Sequence, residues 1–148
     1  MNITPNFTFE ELTASEVADR HGWPNDPSDD ERQNLHRLAD FLEQVKALLG
    51  GKPILINSAY RCKQVNDAVG SKDSSQHRIG CAADIRVPGM TPDQVVQAIM
   101  ISGLPFDQVI REFDRWTHVS IPNHPGDAPR RQALIIDRAG TRLYAGQA

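Results

Sequence analysis

Leu35, Leu38, Leu42, Val45 and Leu49 constrain this chain more than any other feature, because they recur at i, i+3, i+7, i+10 and i+14. That period predicts an amphipathic helix whose apolar stripe belongs to the core. Ser28-Asp29-Asp30 opens the helix and Gly50-Gly51 ends it, with His36 on its surface or boundary. Upstream, Thr8-Phe9-Glu10-Glu11 and Thr13-Ala14-Ser15-Glu16 each have capping-box spacing, which predicts two short helices before the break at Pro24-Asn25-Asp26-Pro27.

Beyond the glycine pair the pattern changes to short apolar runs. Pro53-Ile54-Leu55-Ile56-Asn57-Ser58 reads as a buried strand, followed by a turn at Ala59-Tyr60-Arg61 and a short helix from Lys63 to Val69 that Gly70 terminates. Cys81 to Val87 reads as a second strand, and Thr91-Pro92-Asp93-Gln94 starts a helix that Gly103 stops. Gln108 to Phe113 and Trp116 to Ile121 are close enough to form a hairpin, Gln132 to Asp137 supplies a last strand, and Ala139-Gly140-Thr141 reads as a turn. Helices come first and antiparallel strands later, so the expected class is α+β. The length suits one domain over 1–148, with a helical part at about 7–50 and a sheet at about 53–137.

Composition narrows the partners. With 39% hydrophobic residues, 24% charged residues and a net charge of -3, nothing suggests disorder, a membrane span or a basic nucleic-acid surface. The expectation is therefore a monomer with neither a nucleic-acid nor a membrane partner. Met1 to Asn6 lack a basic segment followed by an apolar one, which predicts synthesis in the cytoplasm without a signal peptide. Cys62 and Cys81 are too few for a disulfide framework and are expected as free thiols.

Strand alternation singles out three polar side chains. In Cys81 to Val87 it places Ala82, Asp84 and Arg86 on one face, opposite the face of Ala83, Ile85 and Val87. In Trp116 to Ile121 it groups Trp116, His118 and Ser120 against Thr117, Val119 and Ile121. Two neighbouring strands could thus aim Asp84 and His118 into one cleft, with His77 arriving from the turn before the first. Hydrolytic zinc sites take three such ligands and leave a position for water. On the residues alone, a solvated loop histidine remains the competing reading of His77. A thiol hydrolase built on Cys81 and His77 is a further alternative, although alternation turns Cys81 away from Asp84.

Ser75-x-His77-x-x-Gly80-x-Ala82-x-Asp84 resembles the zinc signature of the M15 peptidases, the D-Ala-D-Ala carboxypeptidases and related peptidoglycan endopeptidases that include phage endolysins. Asn57-Ser58-Ala59-Tyr60-Arg61 is similar to that family's Ser-Gly-Tyr-Arg segment, and Val65 to Gly70 to the helix after it. Trp116-Thr117-His118-Val119-Ser120 resembles its final ligand strand, and Phe7 to Leu12 the opening of its small single-domain branch. The resemblance covers Phe7 to Ile121. It implies a hedgehog/D-Ala-D-Ala-peptidase-like fold, N-terminal helices on a mainly antiparallel sheet, and Zn2+ held by His77, Asp84 and His118. The implied reaction is hydrolysis of a peptide bond in peptidoglycan stem or cross-link peptides, by zinc-activated water with a carboxylate general base. The cell wall is then the site of action after release, as for a phage or prophage lysin. A non-catalytic zinc-containing peptidoglycan-binding module is the alternative on the same fold.

The resemblance also assigns roles around the ligands. Arg61 belongs at the substrate site, steadying the oxyanion or binding a substrate carboxylate, and serves a carboxypeptidase or an endopeptidase equally. Ser75 is a candidate hydrogen-bond donor to the substrate, and Trp116 stacks on the substrate or walls the cleft. Many M15 members carry an acidic residue three positions before the last histidine ligand, where this chain has Arg115. Glu112 and Asp114 are the carboxylates nearby. The Gln-Val-Ile-Arg-Glu-like strand of the small branch favours Glu112 as base, while Asp114 has the residue type of a turn. A turn centred on Arg115 would set Glu112 across from His118 on the same face; a two-residue turn at Asp114-Arg115 would set it on the other.

Overall fold

Three capped helices fix the N-terminal half. The computed structural model describes residues 1–144. Thr8 closes a capping box with Glu11 at the start of α1 (Phe9–Thr13), directly after the paired strands β1 (Asn2–Thr4) and β2 (Phe7–Thr8). The next helix, α2 (Glu16–His21), starts later than the Thr13 spacing predicts, because the Ser15 side chain caps it by accepting from the Ala18 N–H. Thr13 instead ends α1, its hydroxyl donating to the Phe9 carbonyl at 2.9 Å. Ser28 and Glu31 form the capping box of α3 (Asp29–Leu48), and Gly50 follows it in the left-handed region.

The predicted stripe lies in the core. Leu35, Leu38, Leu42 and Val45 are fully buried, in one cluster with Ala83, Ile85, Val109 and Val119 from the sheet. Each such side chain contributes about 1.5–3 kcal/mol when withdrawn from water. After α3 come β3 (Leu55–Ser58), α4 (Lys63–Ala68), a 3-10 helix (Gln76–Ile79), β4 (Ala82–Arg86) and α5 (Pro92–Met100). The chain continues through β5 (Gln108–Glu112), β6 (Trp116–Ser120), β7 (Gln132–Asp137) and β8 (Gly140–Leu143). The six-stranded sheet has the order β3-β4-β6-β5-β7-β8, antiparallel throughout except for the parallel pair β5-β7. The class is α+β with a mainly antiparallel sheet, as expected.

Several local readings need correction. The apolar run read as a buried strand is an edge strand, so Leu55 is 43% exposed and only Ile54 beside it is buried. Helix α5 ends at Met100 with Ile101 as its cap, before Gly103 is reached. The turn placed at Ala139-Gly140-Thr141 lies at Arg138-Ala139, and Gly140 already begins β8.

Gly80 joins the helical layer to the site. It caps the 3-10 helix at φ +82°, and a Cβ there would lie 2.9 Å from the Glu31 carbonyl oxygen and 3.2 Å from Leu35 Cγ. Both the backbone conformation and the contact with α3 require glycine. Gly80→Ala is expected to destabilise the protein by about 2–4 kcal/mol, combining left-handed strain with overpacking. A chemical-denaturation midpoint equal to that of the wild type would refute this.

Candidate active site

Pairing of β4 with β6 sets the site. Asp84 lies directly opposite His118 and Ala82 opposite Ser120, so the polar parity read in each strand coincides on one sheet face. Residues directly opposite in an antiparallel pair have Cβ atoms about 4.5–5.5 Å apart. His118 Nδ1 accordingly reaches Asp84 Oδ1 at 3.1 Å. The 3-10 helix brings in His77, whose Nε2 lies 3.3 Å from the same oxygen. One ligand atom from each of His77, Asp84 and His118 falls within 4.8 Å of the others, and all three residues are buried.

The hydrogen bonds around His77 test whether this group suits a cation. Its Nδ1 lies 2.7 Å from the Ala59 carbonyl, which only accepts, so Nδ1 carries the proton. Burial pushes the His77 pKa down and favours the neutral ring. Its Nε2 then presents a lone pair to the Asp84 carboxylate. Two lone pairs facing each other in a buried site are an arrangement that a divalent cation between them relieves. The donor set therefore fits a metal.

A second group surrounds the first. The Arg61 guanidinium donates from Nη2 to Asp84 Oδ2 at 3.4 Å and from Nε to Ser58 Oγ at 3.2 Å. Its backbone N–H donates to the His77 carbonyl at 2.9 Å, tying the turn after β3 to the 3-10 helix. Ser75 caps that helix: its hydroxyl accepts from the His77 N–H at 3.3 Å. Arg61, Asp84, Ser58 and Trp116 line an open cleft of about 570 Å³.

The hairpin after β5 matches neither anticipated turn. Glu112 pairs with Trp116, leaving a three-residue loop, Phe113-Asp114-Arg115, with the Arg115 N–H donating to the Glu112 carbonyl at 3.0 Å. This register sets Glu112 and His118 on one face, offset by two residues along the strand rather than directly opposed. Glu112 Oε1 lies 4.0 Å from His118 Nδ1, and Oε2 accepts from the Trp116 indole N–H at 3.0 Å. Burial, then the charge of Asp84, raises the Glu112 pKa above the ordinary carboxylate value. Asp114 is largely exposed and ion-paired with Arg111 at 3.1 Å.

Residues 5–120 match the family model described as Peptidase M15. The chain belongs to the M15 peptidase family. No curated protein matches it. M15 peptidases are metallopeptidases, and the group in this M15 chain that could hold the metal is His77, Asp84 and His118. Among the described residues, no helix is long and apolar enough to cross a membrane. The thiol alternative fails on geometry: Cys81 is fully buried on the core side, its Sγ near Arg37 and Asn123, and burial pushes its pKa up to about 11.

Supporting residues of this M15 site escaped the sequence reading. The Ala59 carbonyl has no side-chain signal, and Trp116, expected to stack on the substrate or wall the cleft, also donates its indole N–H to Glu112. Gln76, next to His77, donates to Asp107 Oδ2 at 3.0 Å and to the Ile121 carbonyl at 2.9 Å. Arg130 in turn binds Asp107 through Nε, Nη2 and its backbone N–H at 2.6–2.9 Å. These bonds anchor the 3-10 helix to the start of β5.

Asp107 also makes stability depend on pH. Burial alone would raise its pKa, but the bonds from Arg130 and Gln76 outweigh it and hold the carboxyl below its usual range. A depressed folded-state pKa gives stability that is present above the unfolded value, about 3.9, and lost as pH falls through the folded one. Asp107→Asn is expected to cost about 1–3 kcal/mol at neutral pH. The gap to the wild type should begin to narrow below about pH 4 in urea titrations, as the unfolded chain takes up the proton, and close once pH has fallen through the lower folded-state pKa. A gap independent of pH would exclude this account.

Proposed function

We propose that the chain is a zinc peptidase that hydrolyses a peptide bond in bacterial peptidoglycan stem or cross-link peptides. The observation that carries this reading is the convergence of His77 Nε2, Asp84 Oδ1 and His118 Nδ1 in one buried group with the Glu112 carboxylate beside it. When bound, zinc supplies Lewis acidity, acidifying water and polarising the scissile carbonyl. Glu112 would accept the proton of the attacking water and deliver it to the leaving amine. The Trp116 N–H fixes the carboxylate in that position. Arg61, charged and partly withdrawn from solvent, steadies the developing oxyanion or holds a substrate carboxylate. Ser75 and Trp116 complete the substrate contacts.

Digestion of purified muropeptides, followed by mass spectrometry, tests this function. Zinc-loaded protein is expected to cut, chelated protein to be inert, and re-addition of zinc to restore cleavage. Protein that holds zinc yet leaves every muropeptide intact would point instead to a binding module on the same fold.

A further inference from the structure

Beside the metal group lies a second groove that the chemistry does not use. It has a volume of about 740 Å³ and runs between two hairpin tips, Phe113 to Trp116 and Asp137 to Ala139. Trp116 lines both this groove and the cleft that contains Arg61 and Asp84.

The two acids and two arginines that line the groove differ in their partners. Asp114 is paired with Arg111 at 3.1 Å, and Asp137 with Arg142 at 2.8 Å. The other two charged lining residues, Arg115 and Arg138, make no ion pair among the described residues. Both acids are thus held by arginines outside the groove, Arg111 being shared with Asp93, while Arg115 and Arg138 remain for a ligand.

The apolar lining is equally specific. Phe113 is 47% exposed, and its ring lies 6.4 Å from that of Trp116. It sits at φ +54°, followed by Asp114 at φ +53°, consecutive left-handed positions that hairpins ordinarily give to asparagine and glycine. A bulky side chain there is strained, and such strain concentrates where ligands bind. The Phe113 N–H donates to the Ile136 carbonyl at 2.9 Å, so the parallel β7 strand holds the residue in place.

We infer that the substrate peptide continues past Trp116 into this groove, laying an apolar portion on Phe113 and a carboxylate between Arg115 and Arg138. The inference rests on the proposed peptidase reading and deepens it: the substrate is an extended, acidic peptide rather than a minimal dipeptide. Specificity then resides at the hairpin tips and chemistry at the metal group.

Two readouts separate the inference from the function on which it rests. Binding is measured by calorimetry on zinc-loaded Glu112→Gln protein, using a stem peptide with a free carboxylate and its carboxamide counterpart. Cleavage of the same pair is measured on protein with Glu112 intact. The double variant Arg115→Gln/Arg138→Gln is expected to weaken binding of the carboxylate peptide about tenfold, as loss of a charge-assisted contact does. Its binding of the carboxamide should be unchanged. The corresponding loss of cleavage should appear in KM rather than kcat. Phe113→Gly should weaken both peptides without lowering Tm, since glycine adopts the left-handed conformation freely. Equal affinity of the double variant and its parent for the carboxylate peptide overturns the inference, as does equal weakening toward both peptides. Arginine-dependent binding without any cleavage upholds the groove and overturns the peptidase reading.

Discussion

Glu112→Gln is expected to keep its metal and lose its turnover, with kcat falling by about 10²–10⁴-fold, the usual contribution of a positioned general base. Glutamine is isosteric, and its amide oxygen can still accept from the Trp116 indole that binds Glu112 Oε2 at 3.0 Å. Fold and cleft should therefore survive. What disappears is the basic oxygen 4.0 Å from His118 Nδ1. Metal analysis should show the same zinc content as the wild type, because Glu112 stands outside the His77, Asp84 and His118 group. Asp114→Asn is the matched control: this carboxylate is exposed and occupied by Arg111, so kcat should stay within about twofold of the wild type. Full activity in Glu112→Gln with loss in Asp114→Asn would reverse the assignment.

Asp84→Asn should have the larger effect on the site itself. Asp84 is the one residue that both imidazoles approach, and Arg61 shares its second oxygen. Removing the charge leaves the two imidazoles without the anionic ligand between them, and leaves the Arg61 guanidinium, whose positive charge opposes a bound cation, without its counter-charge. Zinc content measured after dialysis should fall to background and hydrolysis with it. Wild-type protein should gain Tm as zinc is added, because a ligand that binds only the folded state stabilises it by mass action. In Asp84→Asn that gain should vanish. The metal-free variant should lose about 1–3 kcal/mol as well, since Arg61 loses its carboxylate partner in a half-dry site. One zinc per chain retained by Asp84→Asn would eliminate this residue as a ligand.

Some of this molecule was legible without coordinates. The 3.6-residue period of Leu35 to Leu49 and the period of two in Ala82 to Arg86 and Trp116 to Ser120 arise within single segments. They assign each side chain to a core or a polar face before any partner is known. That is why Asp84 and His118 could be set on non-core faces, and why β4-β6 pairing joined them. Capping residues were readable on the same ground at Ser28 and Thr91. Reading failed where two local signals competed, as with Thr13 against Ser15, or where a strand's burial depended on how many neighbours it found, as with β3.

The sequence by itself determined the inventory and its orientation: which residues could hold a cation, which faces they occupy, and which carboxylates lie near enough to act as base. Only the tertiary structure decided how those parts engage. A one-residue change in the hairpin loop would turn Glu112 away from His118, and the loop is set by left-handed backbone at Phe113 and Asp114, which a phenylalanine does not announce. The His77 tautomer depends on a backbone carbonyl 18 residues earlier, and the free charge of the groove depends on which arginines the two aspartates find. Facing direction follows from the dihedral period of one strand, whereas register and charge pairing are properties of contacts between strands.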